Sequence, residues 1–278
     1  MTQPTGFRFT DRDFRCIQEL VGRHVGIQLP EAKRDMVYCR LSRRLRALGL
    51  KDFASYCRLL RTEEGGDELE EFSNAITTNL TAFFREPHHF EYLEREWLPG
   101  RLREGGRPRR LRAWSAGCSS GEEPYSLAMV LAEAVPADWD VRVLATDLDT
   151  RVLATARRGV YDASRIRDVP PERVRRWFYR GRGANAGQVR VSPVLQDMIQ
   201  FRQLNLSGPW PLKGPLDFIF CRNVLIYFDK AAQKRITERF ADLLVDGGLL
   251  FLGHSETLYR VTDRYELLGR TVYRRRAA

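Results

Sequence analysis

The chain has 278 residues, 43% hydrophobic and 29% charged, the ordinary balance of a globular protein and enough length for one large or two modest cores. No run reaches the roughly 18 apolar residues of a membrane span, and residues 1–20 lack a basic, apolar, small-residue leader, so a cytoplasmic protein without membrane insertion is expected. A net charge of +10, from 46 basic and 36 acidic residues, biases partners toward acidic surfaces. The five cysteines (16, 39, 57, 118, 221) show no C-x-x-C spacing, and the adjacent His88 and His89 cannot share one helix face, which argues against a disulfide framework and a metal site.

In chain order, Thr10–His24 opens with Thr10-x-x-Asp13, a capping box, and places Phe14, Ile17 and Val21 on one helical face. A second helix is expected over Glu31–Leu48, with Val37, Leu41, Leu45 and Leu48 as its buried stripe and five arginines among its eighteen residues. That basic face is either solvated or a docking surface for something acidic. A third helix starts at Asp52. A fourth, after Gly65-Gly66, carries Leu69, Phe72, Ile76 and Leu80. Residues 1 to about 80 thus read as a helical unit without strands.

Thr77–Phe90 (TTNLTAFFREPHHF) sets Asn79, Thr81 and Arg85 beside Phe83 and Phe84, a mixture suited to a flap over a ligand with a flat base and a carboxylate. Pro99–Arg109 then leads as a charged linker to Arg110–Tyr125 (RLRAWSAGCSSGEEPY). That stretch reads as strand, glycine turn and helix, the arrangement that makes a ligand crevice in an open α/β sheet. Its spacing is Gly117-x-x-x-Gly121, neither G-x-G-x-x-G nor a P-loop, and Glu122 and Glu123 stand where a pyrophosphate would be repelled. A ligand with positive charge or hydroxyls fits better, and S-adenosylmethionine has a sulfonium, an ammonium and a ribose diol. Val141–Asp147 (VRVLATD) is the next strand, and Asp147 at its end is the ribose candidate. Asp149 reads as the cap of the following helix.

Trp177–Val191 (WFYRGRGANAGQVRV) reads as two strands around a glycine turn, interrupting the α/β alternation. Gln200–Leu206 ends in Asn205-Leu206. Leu216–Val224 is a buried central strand ending at Arg222-Asn223, followed by Ile226-Tyr227-Phe228. Lys230–Leu244 is an amphipathic helix stopped by Asp246-Gly247-Gly248, Leu249–Gly253 is a strand, and Tyr265–Arg274 forms two more. No Ser-His-Asp arrangement and no proton-abstracting pair is evident. Methyl transfer to a carboxylate needs none, because a glutamate is already ionised at neutral pH.

Together, TTNLTAFFRE, SAGCSSGEEPYS, ATDLDT, FCRNVLIYF and GHSE, in this order, resemble the blocks of the chemotaxis receptor glutamate O-methyltransferases, the CheR family. The resemblance covers essentially the whole chain. It implies a Rossmann-like S-adenosylmethionine-dependent methyltransferase sheet over residues 110–278, with an antiparallel β-subdomain inserted at about 177–200. A small helical domain over 1–80 and a linker and flap over 81–109 precede it. By motif, Asn79, Thr81 and Arg85 contact the cofactor from the flap, Glu122 its methionine end and Asp147 its ribose. Asn205 and Leu206 lie near the adenine, and Arg222 and Asn223 close the methionine side. Arg85 and Tyr227 are the candidates for orienting the substrate carboxylate. The implied reaction is methylation of glutamates on the cytoplasmic helices of chemoreceptors, with recruitment to receptor arrays. Arg40, Arg43, Arg44 and Arg46 then become a docking face for acidic receptor helices. The Gly181-Arg182-Gly183 turn looks like the loop of members that bind a receptor's C-terminal peptide along the β-subdomain edge.

Two other readings use the same residues: a nucleic-acid methyltransferase anchored by the basic helices, and a cofactor-sensing module without turnover. Against the first, Arg222-Asn223-Val224 stands where an amino-methylating enzyme would carry Asn/Asp-Pro-Pro-Tyr. Against the second stands the set Arg85, Glu122, Asp147 and Asn223.

Overall fold

The computed structural model describes residues 6–62, 66–105 and 108–277. Four helices come first: α1 (Asp11–His24), α2 (Arg34–Ala47), α3 (Phe53–Leu59) and α4 (Gly66–Ile76). The Thr10 hydroxyl accepts from the Asp13 amide at 3.2 Å and the Asp13 carboxylate accepts from the Thr10 amide at 2.9 Å, closing the expected capping box. Asp52 caps α3 by accepting from the Ser55 amide at 2.7 Å. Phe14, Ile17, Val37, Leu41, Phe53, Tyr56 and Phe72 fill the core between these helices. α4 stops at Ile76, so Leu80, expected on its buried stripe, instead stands 77% exposed in the segment beyond.

Half of the stretch read as linker is helical. α5 (His88–Tyr92), a π-helical turn (Leu93–Trp97) and α6 (Leu98–Arg103) run on from one another. Phe90, Leu93 and Leu98 are buried against the sheet. Pro99 falls just after the π-helical turn, where the hydrogen-bond pattern changes from π to α, and the run continues past it.

The main sheet comprises β1 (Arg110–Ala116), β2 (Asp140–Asp147), β6 (Ile199–Gln203), β7 (Leu216–Cys221), β8 (Leu244–Leu252), β9 (Tyr265–Gly269) and β10 (Val272–Arg275). Their order is β6-β2-β1-β7-β8-β10-β9. The strands from β6 to β8 pair in parallel, and β10 and β9 close one edge antiparallel. α7 (Glu122–Ala134), α8 (Thr150–Arg158), α10 (Pro193–Asp197) and α11 (Lys230–Leu243) are the connecting helices. Both faces are covered, which is why β7 reads as a continuous apolar run. β8 begins directly after α11 rather than at Leu249. Its pairing jumps from Leu216–Leu244 to Phe218–Leu249, so Asp246-Gly247-Gly248 bulges out of the strand instead of ending the helix.

A second sheet, β3 (Val160–Asp162), β5 (Gln188–Val191) and β4 (Phe178–Arg180), is antiparallel in the order β3-β5-β4. The hairpin of β4 and β5 forms where the sequence indicated. The insertion starts earlier than residue 177, because its edge strand β3 and the helix α9 (Pro171–Trp177) precede the hairpin.

Candidate functional site

Strand order reverses beside β1: β2 and β6 lie on one side, β7 and β8 on the other. In open α/β sheets the crevice at such a point, outside the carboxyl ends of the strands, receives the ligand. A cavity of about 790 Å³ opens there. The turn after β1 is built from close backbone approach. At Gly117 (φ +91°) a Cβ would lie 2.4 Å from Val224 Cγ2, and at Gly121 (φ +100°) 2.8 Å from Ala156 Cβ and 2.9 Å from the Tyr161 hydroxyl. Gly117 borders the cavity, whereas Gly121 serves the packing of α7 on α8 and β3.

The flap segment delivers Asn79, Thr81 and Arg85 to the cavity wall. It is irregular from Thr77 to Ala82 and carries non-glycine residues in left-handed conformation at Phe84 (φ 52°) and Glu86 (φ 56°). Asn79 Nδ2 donates to Asp149 Oδ2 at 2.8 Å, and the Asn79 carbonyl accepts from Ser119 Oγ at 3.0 Å. Asp149 also caps α8 through the Arg151 amide at 2.9 Å, the structural part expected of it. Asp147, at the end of β2, lines the cavity. It accepts from the Ser119 amide at 2.8 Å and the Asp149 amide at 3.0 Å. Burial nevertheless pushes its carboxyl up to about 6.

Asn205 and Leu206, after β6, form part of the wall, but the Asn205 carboxamide is spent on the protein: Nδ2 donates to the His24 carbonyl at 2.9 Å and Oδ1 accepts from the Ser207 amide at 2.9 Å. Arg222, Asn223 and Tyr227, after β7, complete the opposite wall. Arg222 is buried and donates to the Arg85 carbonyl. It lies 3.6 Å from Glu123 and 3.7 Å from Glu86, and among the described residues its Nε and Nη1 have no hydrogen-bond partner. Unpaired buried donors on a cation are costly, and the nearby Glu86 and Glu123 carboxylates offset part of that cost through charge.

The glutamate assignment changes. Glu122 does not reach the cavity: it is fully buried on the other side of the turn, accepting from Arg165 Nε at 3.2 Å and Ser120 Oγ at 2.6 Å. Glu123 faces the cavity instead. Its carboxyl is pushed up by burial and drawn back by Arg222 and by the Ser115 hydroxyl, which donates at 2.8 Å. Neighbouring residues on a helix point about 100° apart, so the two glutamates face different surroundings.

The arginines of α2 also divide. Arg40 Nη1 donates to the carbonyls of Ala75, Ile76 and Thr77 at 3.1, 3.2 and 2.5 Å, capping the end of α4. Arg44 is held by Glu68 at 2.5 Å and Glu71 at 3.2 Å. Arg43 and Arg46 are exposed. One residue with no role in the sequence reading proves central. Buried Glu256 accepts from the amides of Gly253, Asn223, Val224 and Ile226 at 2.6 to 3.3 Å, fixing the loop after β7. Asn223, with φ 60°, depends on that hold. The ligating atoms of Glu86, His88 and His89 do gather within 4.8 Å. Glu86, however, is already bonded to His254 Nδ1 at 2.8 Å and faces the Arg222 guanidinium, a charge that opposes a metal cation.

A family model described as "CheR methyltransferase, SAM binding domain" matches residues 79–274, and "CheR methyltransferase, all-alpha domain" matches residues 12–77. The chain is 47% identical over 268 residues to the "Chemotaxis protein methyltransferase" of Salmonella typhimurium, covering 95% of this chain and 90% of that one. It is 48% identical to "Chemotaxis protein methyltransferase 2" of Pseudomonas aeruginosa, covering 96% and 94%. It is 46% identical to the Escherichia coli "Chemotaxis protein methyltransferase", covering 95% and 91%. With a methyltransferase sheet, a crevice at its switch point and both family domains in register, the chain belongs to the CheR family and is an S-adenosylmethionine-dependent methyltransferase of chemotaxis.

Proposed function

We propose that the enzyme methylates the side-chain carboxylates of specific glutamates on the cytoplasmic helices of chemoreceptors, giving γ-carboxyl methyl esters for adaptation in chemotaxis signalling. The supporting observation is the ionisable lining of the cavity. It presents Lys33, Arg85, Arg222 and Tyr227 beside the carboxyls of Glu123 and Asp147 and, among the described residues, neither histidine nor cysteine. A carboxylate acceptor suits such a wall, since it arrives ionised and needs cations and a hydroxyl rather than a base.

Bound S-adenosylmethionine supplies an electrophilic methyl group on its sulfonium. Glu123 and the Arg222 cation suit the ammonium and carboxylate of its methionine end, and the Asp147 carboxylate suits the ribose hydroxyls. Residues 205–206 border the adenine, with Asn205 acting through its backbone, while Asn79 and Thr81 cover the cofactor from the flap. Arg85 and Tyr227 orient the incoming carboxylate, the guanidinium as a fork and the phenol as a single donor. The flap keeps water from the reacting atoms.

Substrate docking rests on the exposed part of α2. Arg43 and Arg46 attract acidic receptor helices, whereas Arg40 and Arg44 hold α2 to α4. A receptor C-terminal peptide adds as a strand along β4, where Tyr179 is 60% exposed. Gly181 keeps the adjoining turn tight, since a Cβ there would fall 2.0 Å from the Asn185 carbonyl oxygen. The enzyme works in the cytoplasm at receptor arrays; among the described residues no helix is long and apolar enough to cross a membrane. The direct test is transfer of labelled methyl from S-adenosylmethionine to receptor cytoplasmic fragments, with RNA as control. Label on the fragments that disappears when their acceptor glutamates become glutamine supports the proposal. Label on RNA, or on the glutamine fragments equally, refutes it.

A further inference from the structure

The inserted antiparallel sheet touches the cofactor site from behind. Arg165, in the 3₁₀ turn Ala163–Ile166 that follows β3, extends its guanidinium to two places at once. Nε and Nη2 hold the fully buried Glu122, and Nη2 also donates to the Thr81 carbonyl at 3.1 Å. Thr81 belongs to the flap and lines the cavity, whereas Glu122 does not. Two residues further on, the Phe83 ring is buried edge-on between Tyr161 of β3 (5.2 Å) and Phe178 of β4 (5.3 Å). The Tyr161 hydroxyl donates to the Ser120 carbonyl in the glycine turn at 2.7 Å. The flap has no helix or strand of its own from Thr77 to Ala82. Its position therefore depends on such contacts, and those at Thr81 and Phe83 come from the insertion.

We infer that Arg165 is a positioning residue for cofactor binding, and that the inserted sheet holds the flap over the cofactor site. Glu122 is the anchor of this device. Its buried carboxylate is paired with Arg165, and the same Nη2 that holds Glu122 also reaches the flap backbone. Lysine keeps the charge but lacks the planar Nε–Nη2 edge that grips Glu122 and so fixes Nη2 between Glu122 and the Thr81 carbonyl. The adjacent ring seat at Phe83 provides the apolar half of the hold.

The test uses the full chain and S-adenosylhomocysteine as the probe. Arg165→Lys should raise its Kd about tenfold, the usual consequence of losing one charge-assisted hydrogen bond. Amide exchange should accelerate in residues 79–85 while α7 and β1 stay protected. Phe83→Leu, which keeps an apolar group in the seat but removes both edge-on ring contacts, should shift both readouts in the same direction. Unchanged Kd and unchanged exchange of 79–85 in both variants would overturn the assignment. So would a loss of protection spread equally over α7 and β1, which would mark Arg165 as a general structural ion pair.

Discussion

Asp147 gives the sharpest handle on the cofactor site. Its carboxyl is pushed up to about 6 by burial, although the amides of Ser119, Leu148 and Asp149 pull it down. A carboxylate accepts from a ribose diol, whereas the protonated acid loses acceptor capacity, so ligand binding favours the ionised form. Apparent Kd for S-adenosylhomocysteine should then rise about twofold at pH 6 and about tenfold at pH 5 relative to pH 7.5. The stability of the unliganded protein should move the opposite way. The folded carboxyl holds its proton more tightly than the unfolded one, whose ordinary value is 3.8. The folded state therefore binds more protons between about pH 4 and pH 6, and this contribution to stability falls as pH rises through that window, by on the order of 3 kcal/mol in total. Asp147→Asn should flatten the binding profile from its acid side, leaving weakened affinity at every pH. Calorimetric titrations from pH 5 to 7.5, paired with urea unfolding of both proteins, measure the two trends. A flat wild-type binding profile, or the same slope in Asp147→Asn, would refute the reasoning.

Glu256→Gln replaces an acceptor of four backbone amides by a group with one oxygen, and should cost about 2–3 kcal/mol in urea unfolding and weaken cofactor binding through Asn223 and Val224. Arg40→Ala should lower stability by about 1–2 kcal/mol by uncapping α4. The double reversal Arg43→Glu, Arg46→Glu should cost about 1–2 kcal/mol, because Arg46 lies in the last turn of α2 and over the Phe7 ring, and should slow receptor methylation most at low salt. Equal rates across salt concentrations would remove the docking role. Gly117→Ala, with its Cβ against Val224 and φ at +91°, should destabilise by about 2 kcal/mol, read from the shift in the urea midpoint.

What could be read from the sequence followed from local rules. The capping box at Thr10, the glycine turn after β1, Asp147 at a strand end and Asp149 at a helix start each depend on neighbours within a few residues. The flap was visible as a polar and aromatic block because Asn79, Thr81 and Arg85 sit within seven positions. What was hidden depended on long-range partners. Glu122 is held by Arg165, 43 residues beyond it, while its neighbour Glu123 lines the cavity. Arg40 and Arg44 look like surface charge until α4 is packed against them, since their acceptors lie 24 to 37 residues away. The helical run from His88 to Arg103 was obscured by Pro99 and a π-helical turn that breaks the 3.6-residue period. β3 is three residues long, too short to show any alternation. Glu256 carried no signal of its role, because four amides converging on one carboxylate are a property of loop geometry.

The central claim is that the methyl group goes to a carboxylate. It is tested most directly by the base lability of the product. Receptor fragments labelled by the purified enzyme should release the label as methanol in mild alkali, as a carboxyl methyl ester must. Label that stays on the protein through the same treatment would contradict the claim and point to methylation at nitrogen.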